Sequence, residues 1–434
     1  MSKHWVALIR NWSGKVADNL ITAASFLVFC ALDLLDCFFC VCYRFIDEFL
    51  EGKVETCYCE SRGNIGGVYG EDELSATLYE RKNLFRQMVL VRLGRNRREE
   101  CGNGGAARLP RWSDCGCETC LSWQKAEQKL FYVVKEPIPD ANGDCGRDSV
   151  ENVIFLHGFM SSSSFWTETV FPNLSEETKL HYRFIALDLL GFGGSPKPRD
   201  CLYRLRDHLE MIEKSVIQPF ELDSFHLVAH SMGCIIALAL AAKHPRCVKS
   251  ITLIAPPYFP SSREKASLVA LNRLAERRLW PPLLFGSSFM SWYEHLGRTV
   301  CLLVCRNHGA WEWILKLLTR QRDLHFMIKD ATRHTHHSAW HSMHNVICGG
   351  AKYMDDYLGV LSKSGMWVAV IQGDGDQVVP PECSYHLKQK MPFAEVKIIR
   401  NADHTSVVLG REKDLAGELE NIWSLTENKT RENL

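Results

Sequence analysis

From about Glu127 onward the chain repeats one pattern: a short, uninterrupted apolar run, then a longer stretch with helical spacing. The runs are Val153 to Leu156, Phe184 to Leu187, Phe225 to Val228, Ile251 to Ile254, Val368 to Ile371 and Val396 to Ile399. A strand that is apolar on both sides is covered on both sides, and the intervening helices supply that cover. The pattern therefore predicts an α/β chain with a mostly parallel, doubly wound sheet. Between Pro256 and Gly365 the alternation stops and a Trp-, His- and Leu-rich helical region takes its place. We expect the core over 126–256 and 366–425, a helical lid inserted between core strands over 257–365, and a tail over 426–434.

Ahead of the core the pattern changes twice. Leu20 to Tyr43 is apolar enough to contact or cross a bilayer, with Lys3, Arg10 and Lys15 before it and Asp47, Glu48 and Glu51 behind. That asymmetry places the remainder of the chain across the membrane. Asp33 and Asp36 lie inside the run, where each would cost about 2.5 to 3.5 kcal/mol at the centre of a spanning helix. Residues 1–50 are thus a signal peptide, an uncleaved membrane anchor or a buried helix; the large residues around Cys42 and Tyr43 make a cleavage site hard to place. The sequons at Asn173 and Asn428 fit a secretory route. Residues 51–125 hold no sustained period and are read as a Cys/Gly-rich, partly irregular linker, with a helix possible over Glu73 to Leu93.

Composition narrows the field. The chain is 46% hydrophobic and 24% charged, enough apolar material for a large core, and its 51 basic residues match its 51 acidic ones. No global basic field is present to hold nucleic acid. The 18 cysteines are unevenly placed and do not form one framework. Cys30, Cys37, Cys40 and Cys42 lie in or beside the apolar run, where packing or S-acylation suits them. Cys101, Cys115, Cys117 and Cys120 have close spacing that suits zinc or disulfides, but lack the paired CxxC…CxxC spacing of a structural zinc site. We expect no metal and no cofactor.

The chemistry lies at strand ends. Phe225 to Val228 runs into Ala229-His230-Ser231-Met232-Gly233, followed by helix-forming residues to His244. A strand, a sharp turn and a helix lift a serine hydroxyl above the sheet and aim a helix N-terminus at it, the context of a nucleophile elbow. Ala229 stands where glycine is usual, and a serine before a helix can also be a simple N-cap. Leu156-His157-Gly158-Phe159 follows the first strong strand, so the backbone N–H groups of Phe159 and Met232 are the candidate oxyanion hole. Asp188 to Ser195 reads as a structural glycine-rich loop.

Strand Trp367 to Gln372 leads into Gly373-Asp374-Gly375-Asp376, and Val396 to Arg400 leads into Asn401-Ala402-Asp403-His404. The order Ser, Asp, His is that of the α/β-hydrolase fold. Asp374, Asp376 and Asp403 are all eligible acids; Asp376, farther into the loop than the turn-bracing Asp374 and just before the Val-Val-Pro that starts the next helix, is chosen. Ser231, Asp376 and His404 are the predicted catalytic residues.

The motifs LHGF, DLLGFGGS, AHSMG, GDGD with VVP, and ADH resemble the α/β-hydrolase superfamily. VAHSMGCIIALALA, RHTHHSAWHSMHNVICGG and the apolar, Cys-rich N-terminus resemble the plant BODYGUARD family over most of the chain. The resemblance implies an extracellular, cell-wall protein of the epidermis needed for the cuticle, acting as a lysophospholipase or other acyl ester hydrolase on lipid. A transacylase using the same triad, or a non-catalytic ligand receptor, is the alternative. Dehalogenase and epoxide hydrolase relatives put aspartate where Ser231 stands. The cluster His334, His336, His337, His341 and His344 has no acidic ligand or HExxH pattern and reads as polar lining of the lid. Trp280, Trp292, Trp311, Trp313 and Trp340 read as lid core.

Overall fold

The computed structural model describes residues 3–52, 57–58, 74–79, 85, 111–125, 129–138, 150–275 and 291–432. Cys101, the charged run 95–100, Trp280 and most of 73–93 lie outside them. Seven strands form one sheet: β1 (Tyr132–Lys135), β2 (Glu151–Leu156), β3 (Tyr182–Leu187), β4 (Phe225–His230), β5 (Val248–Ile254), β6 (Trp367–Gly373) and β7 (Glu395–Ile399). Their spatial order is β1-β3-β2-β4-β5-β6-β7. All neighbours are parallel except β1, which runs antiparallel to β3 with Tyr132 opposite Leu187. This edge strand is the one element of the sheet that the apolar runs did not announce. It is four residues long and only half-buried, so it carries no two-sided apolar signature.

The chain leaves β2 for β3 on one side and returns to place β4 on the other. Such a reversal opens a crevice beyond the carboxyl ends of the two central strands, where open α/β sheets bind ligands. One face of the sheet packs Val153, Phe155, Val228 and Ile371 against Trp166, Phe171 and Trp423. The other is covered by the helix Met232–Lys243, whose first ten residues are all buried. A helix apolar all round is a core helix. The helices Leu205–Ile212 and Met354–Lys363 flank it.

The described residues form two compact units. One combines Met1–Ser61, Tyr79–Asn103 and Arg273–Thr299; the other combines Arg62–Leu78, Gly104–Asn272 and Val300–Leu434. In the first, residues Lys3–Glu51 are a single helix, and its stretch Phe26–Glu51 is long and apolar enough to cross a membrane by length and composition, with a mean hydropathy of 2.1. Of the two acidic residues inside its apolar run, Asp36 is buried, and its Oδ1 accepts from the backbone N–H groups of His295 and Leu296 at 3.0 and 3.3 Å. Farther along, Asp47 and Arg298 form a buried bidentate pair at 2.6 and 2.7 Å. Asp36, Cys40, Tyr43 and Asp47, spaced three and four apart, make one face of the helix. Phe26, Leu27, Leu34, Phe38, Phe45 and Phe49 remain exposed.

In the second unit the later part of the insertion is tied to loops of the core. Ser162 Oγ donates to Asp330 at 2.7 Å, Ser338 Oγ to the Gly191 carbonyl at 2.9 Å, and Asn345 Nδ2 to the Leu202 carbonyl at 2.8 Å. Trp340 is buried between the rings of His336 and His344, as lid core should be, whereas Trp311 and Trp313 are exposed.

Burial holds three core imidazoles far below their ordinary 6.5: His208 at about 4, His226 at about 3 and His230 at about 3. The unfolded chain takes up these protons near pH 6.5 and the folded chain does not, so their contribution is complete above pH 6.5 and is lost as pH falls below it. We predict that urea unfolding at pH 5 gives a lower stability than at pH 7. Replacing His208 with Asn should shrink that difference by about 2 kcal/mol. An unchanged difference would show that His208 titrates alike in both states.

Candidate active site

The turn after β4 decides the site's geometry. Ser231 adopts φ 51° and ψ −118°, a region that non-glycine residues occupy only under constraint, and its N–H is held by the Ile254 carbonyl at 2.9 Å. Two residues on, a Cβ at Gly233 would meet the carbonyl oxygens of His157 and Leu156 at 2.7 and 2.8 Å. Only glycine lets the helix begin this close to the end of β2. Ala229, fully buried, fills the place where the pattern usually has glycine. On the other side of the crevice, a Cβ at Gly158 would lie 3.3 Å from Ser231 Cβ, so the loop after β2 runs directly beside the serine.

His404 reaches the same point from the loop after β7. Its Nε2 is 3.0 Å from Ser231 Oγ and its Nδ1 is 2.8 Å from Asp376 Oδ2. Asp376, buried at the end of β6, also accepts from the backbone N–H groups of Val378 and Val379 through Oδ1, both at 2.8 Å, and from Gln372 Nε2 at 3.1 Å. A carboxylate with so many donors is fixed in position. It in turn makes Nδ1 of His404 the donor and leaves Nε2 to accept from the serine hydroxyl.

The other two aspartates have separate duties. Asp374 Oδ1 accepts from the Asn401 N–H at 2.7 Å and ties the loop after β6 to the loop after β7. Asp403 caps its own turn by accepting from the N–H groups of Thr405 and Ser406, and these donors hold its carboxyl below the usual range.

Three buried polar residues that the sequence reading did not single out complete the setting. Gln372 joins Asp376 to the Val379 carbonyl and accepts from Ser384 Oγ at 2.9 Å. A polar residue closing an otherwise apolar strand was its only signal. His230 stacks on Phe165 and sits 3.0 Å from the His404 carbonyl through Nε2; its low pKa, from burial and then from His404, keeps it a neutral donor there. His157 faces the Gly158 carbonyl through Nδ1 at 2.7 Å and accepts the Leu189 N–H through Nε2 at 2.8 Å, coupling the loops after β2 and β3. Asp188 holds the glycine-rich loop by accepting from Ser163 and Gly194 N–H groups, both at 2.6 Å.

Ser231 is 9% exposed, and two cavities elsewhere in this unit are lined by neither it nor His404. The larger, about 230 Å³, lies between Leu205, Leu209, Gly350 and Tyr353. Of the clustered histidines, His337 contacts the Cys201 carbonyl at 2.8 Å and His344 contacts Thr77 Oγ1 at 2.9 Å.

The family model for the alpha/beta hydrolase fold matches residues 151–410. The chain is 52% identical to probable lysophospholipase BODYGUARD 4 of Arabidopsis thaliana, over 94% of this chain and 98% of that one. It is 47% identical to BODYGUARD 5 of the same plant, over 96% and 98%, and 41% identical to BODYGUARD 1, over 91% and 94%. The chain belongs to the BODYGUARD family of α/β hydrolases. Within that family's fold the strands β2, β4, β6 and β7 each deliver one part of the constellation to a single crevice, and a serine, an imidazole and a carboxylate in hydrogen-bonded series can carry nucleophilic attack.

Gln372 offers a direct check on the geometry. Changing Gln372 to Leu should lower kcat on a soluble p-nitrophenyl ester 10- to 100-fold, with KM unchanged, on the order of one hydrogen bond to a charged group. A variant as fast as the wild type would show that the backbone donors alone hold Asp376.

Proposed function

We propose that this α/β hydrolase is a carboxylic ester hydrolase acting on lipid acyl esters of the lysophospholipid kind, with Ser231, His404 and Asp376 as its catalytic triad. The observation that carries the reading is the position of the His404 ring, within hydrogen-bond distance of Ser231 Oγ on one side and Asp376 Oδ2 on the other. The serine oxygen attacks the ester carbonyl carbon while His404 Nε2 takes the hydroxyl proton. The backbone N–H groups of Phe159 and Met232 receive the oxyanion. His404 then returns the proton to the leaving alcohol, and an acyl-serine remains. A water deprotonated by His404 attacks that ester, and the free acid departs as Ser231 regains its hydrogen.

The later part of the insertion, from Val300 to Gly365, acts as the lid over this crevice. Its bonds from Asp330, Ser338 and Asn345 to the loops after β2 and β3 support that role, as does the nearly buried serine. Water kept from the acyl-enzyme is the expected gain. The near-full-length likeness to lysophospholipase relatives supports a lipid substrate, and the family resemblance supports an outward-facing place at the epidermal cell wall and a role in forming the cuticle. The N-terminal helix serves as a retained membrane anchor rather than a cleaved signal. Its Asp36 and Asp47 bind residues 295–298, and cleavage of the helix would take away the carboxylate of a buried bidentate pair with Arg298.

Changing Ser231 or His404 to Ala should cut hydrolysis of a lysophospholipid at least about 1,000-fold with the fold intact, and Asp376→Asn should be comparably severe. Asp374→Asn should be mild. If Asp374→Asn proves the damaging change and Asp376→Asn the mild one, the acid is misassigned.

Retention has its own test. With epitopes at both ends, the protein should migrate as one polypeptide in the membrane fraction, and its C-terminal epitope should resist protease added to the cytosolic side. Separation of the epitopes would identify a cleaved signal, and a digested C-terminal epitope would remove the outward placement.

A further inference from the structure

Away from the crevice, the second unit brings four metal-ligating side chains together. Cys115, Cys117 and Cys120 lie in and beside the start of the helix Glu118–Lys125, and His308 opens the helix Glu294–Leu303's successor, His308–Thr319. Their ligand atoms all fall within 4.8 Å of one another. Nε2 of His308 is 3.5 Å from Cys117 Sγ and 3.5 Å from Cys120 Sγ. In a tetrahedral zinc site, Zn–S bonds of about 2.3 Å and Zn–N bonds of about 2.0 to 2.1 Å put sulfur and nitrogen roughly 3.6 Å apart. We propose that Cys115, Cys117, Cys120 and His308 hold one zinc ion, a structural site that staples the segment before β1 to the helical insertion.

Three further features fit this reading. The Cys117 N–H points at Cys115 Sγ at 3.5 Å, an arrangement that offsets charge on a thiolate. The remaining nitrogen of His308 has no hydrogen-bond partner, yet Glu312 Oε1 stands 3.5 Å from it, one helical turn on. Metal-bound histidines use that second nitrogen to donate to such a carboxylate, which fixes the tautomer and the ring. Four protein donors also close the coordination sphere, as structural zinc sites do and catalytic ones do not. A disulfide would join two of the three thiols, leave the third, and give His308 no role.

A second group, Cys301, Cys305 and His334, is buried nearby, with both sulfurs 3.6 Å from His334 Nε2. It offers three donors rather than four and serves as the control. Spacing along the chain hid the fourth ligand of the first group, because His308 comes 188 residues after Cys120.

The test is metal analysis of the full chain, purified without metal-affinity resin or chelator. We expect about one zinc per chain, with X-ray absorption showing three sulfur and one nitrogen neighbours. The double change Cys117→Ser/Cys120→Ser should lower zinc content at least 10-fold, while Cys301→Ser/Cys305→Ser keeps it. Because the first double variant could fail to fold, the wild type is also stripped with a chelator: its Tm should fall and return when zinc is added back. Wild-type protein without zinc, a disulfide among the three thiols, zinc kept by the first variant, or a Tm indifferent to stripping would each overturn the proposal.

Discussion

The start of the helix Met232–Lys243 rests on the last carbonyls of β2, and it can do so only because Gly233 has no side chain. A methyl group there would come within 2.7 Å of the His157 carbonyl oxygen. This close approach sets Ser231 at a strained φ of 51° and brings the loops after β2 and β4 into contact. From it follows the side-by-side placement of Gly158 and Ser231. The strain is held by the sheet on both sides, through the Ile254 carbonyl and the parallel pairing of β4 with β2 and β5.

Around this contact the protein places its polar groups in fully satisfied chains. Asp376 is held by Gln372 and two backbone amides, and Gln372 is held by Ser384. His230, kept neutral by burial, steadies the backbone of His404. In a low-dielectric setting an unpaired member of such a chain would be costly, whereas a complete chain fixes one geometry. The mechanism proposed here uses that rigidity: His404 needs little rearrangement to pass a proton between Ser231 and the leaving group.

What the sequence made legible was whatever is local in the chain. Six of the seven strands appeared as apolar runs: β2 to β6 because they are buried along nearly their whole length, and the edge strand β7 because Val396, Ile398 and Ile399 still outnumber its exposed Glu395 and Lys397. The candidate triad was readable because each member follows a strand end within five residues. β1 escaped because an edge strand four residues long lacks that pattern. Gln372, His230 and His157 escaped because a buried polar residue in a strand or at its end looks, in one sequence, like any other interruption. Two readings changed once distant residues were brought together. Asp36 looked like a costly charge in an apolar run, yet it accepts from the backbone of 295 and 296. Cys115, Cys117 and Cys120 looked short of ligands until His308 closed the group. Both depend on partners too far along the chain for spacing to reveal.

Everything proposed for the crevice requires that Ser231 be a nucleophile activated by His404. The most direct measurement is the reaction of the intact protein with a fluorophosphonate, which forms a covalent adduct only with an activated serine, followed by mass mapping of the modified peptide. About one adduct per chain is expected, located on Ser231, and it should be lost when His404 is changed to Ala. An unmodified Ser231 in folded protein, or an adduct on another serine that survives the His404 change, would contradict it.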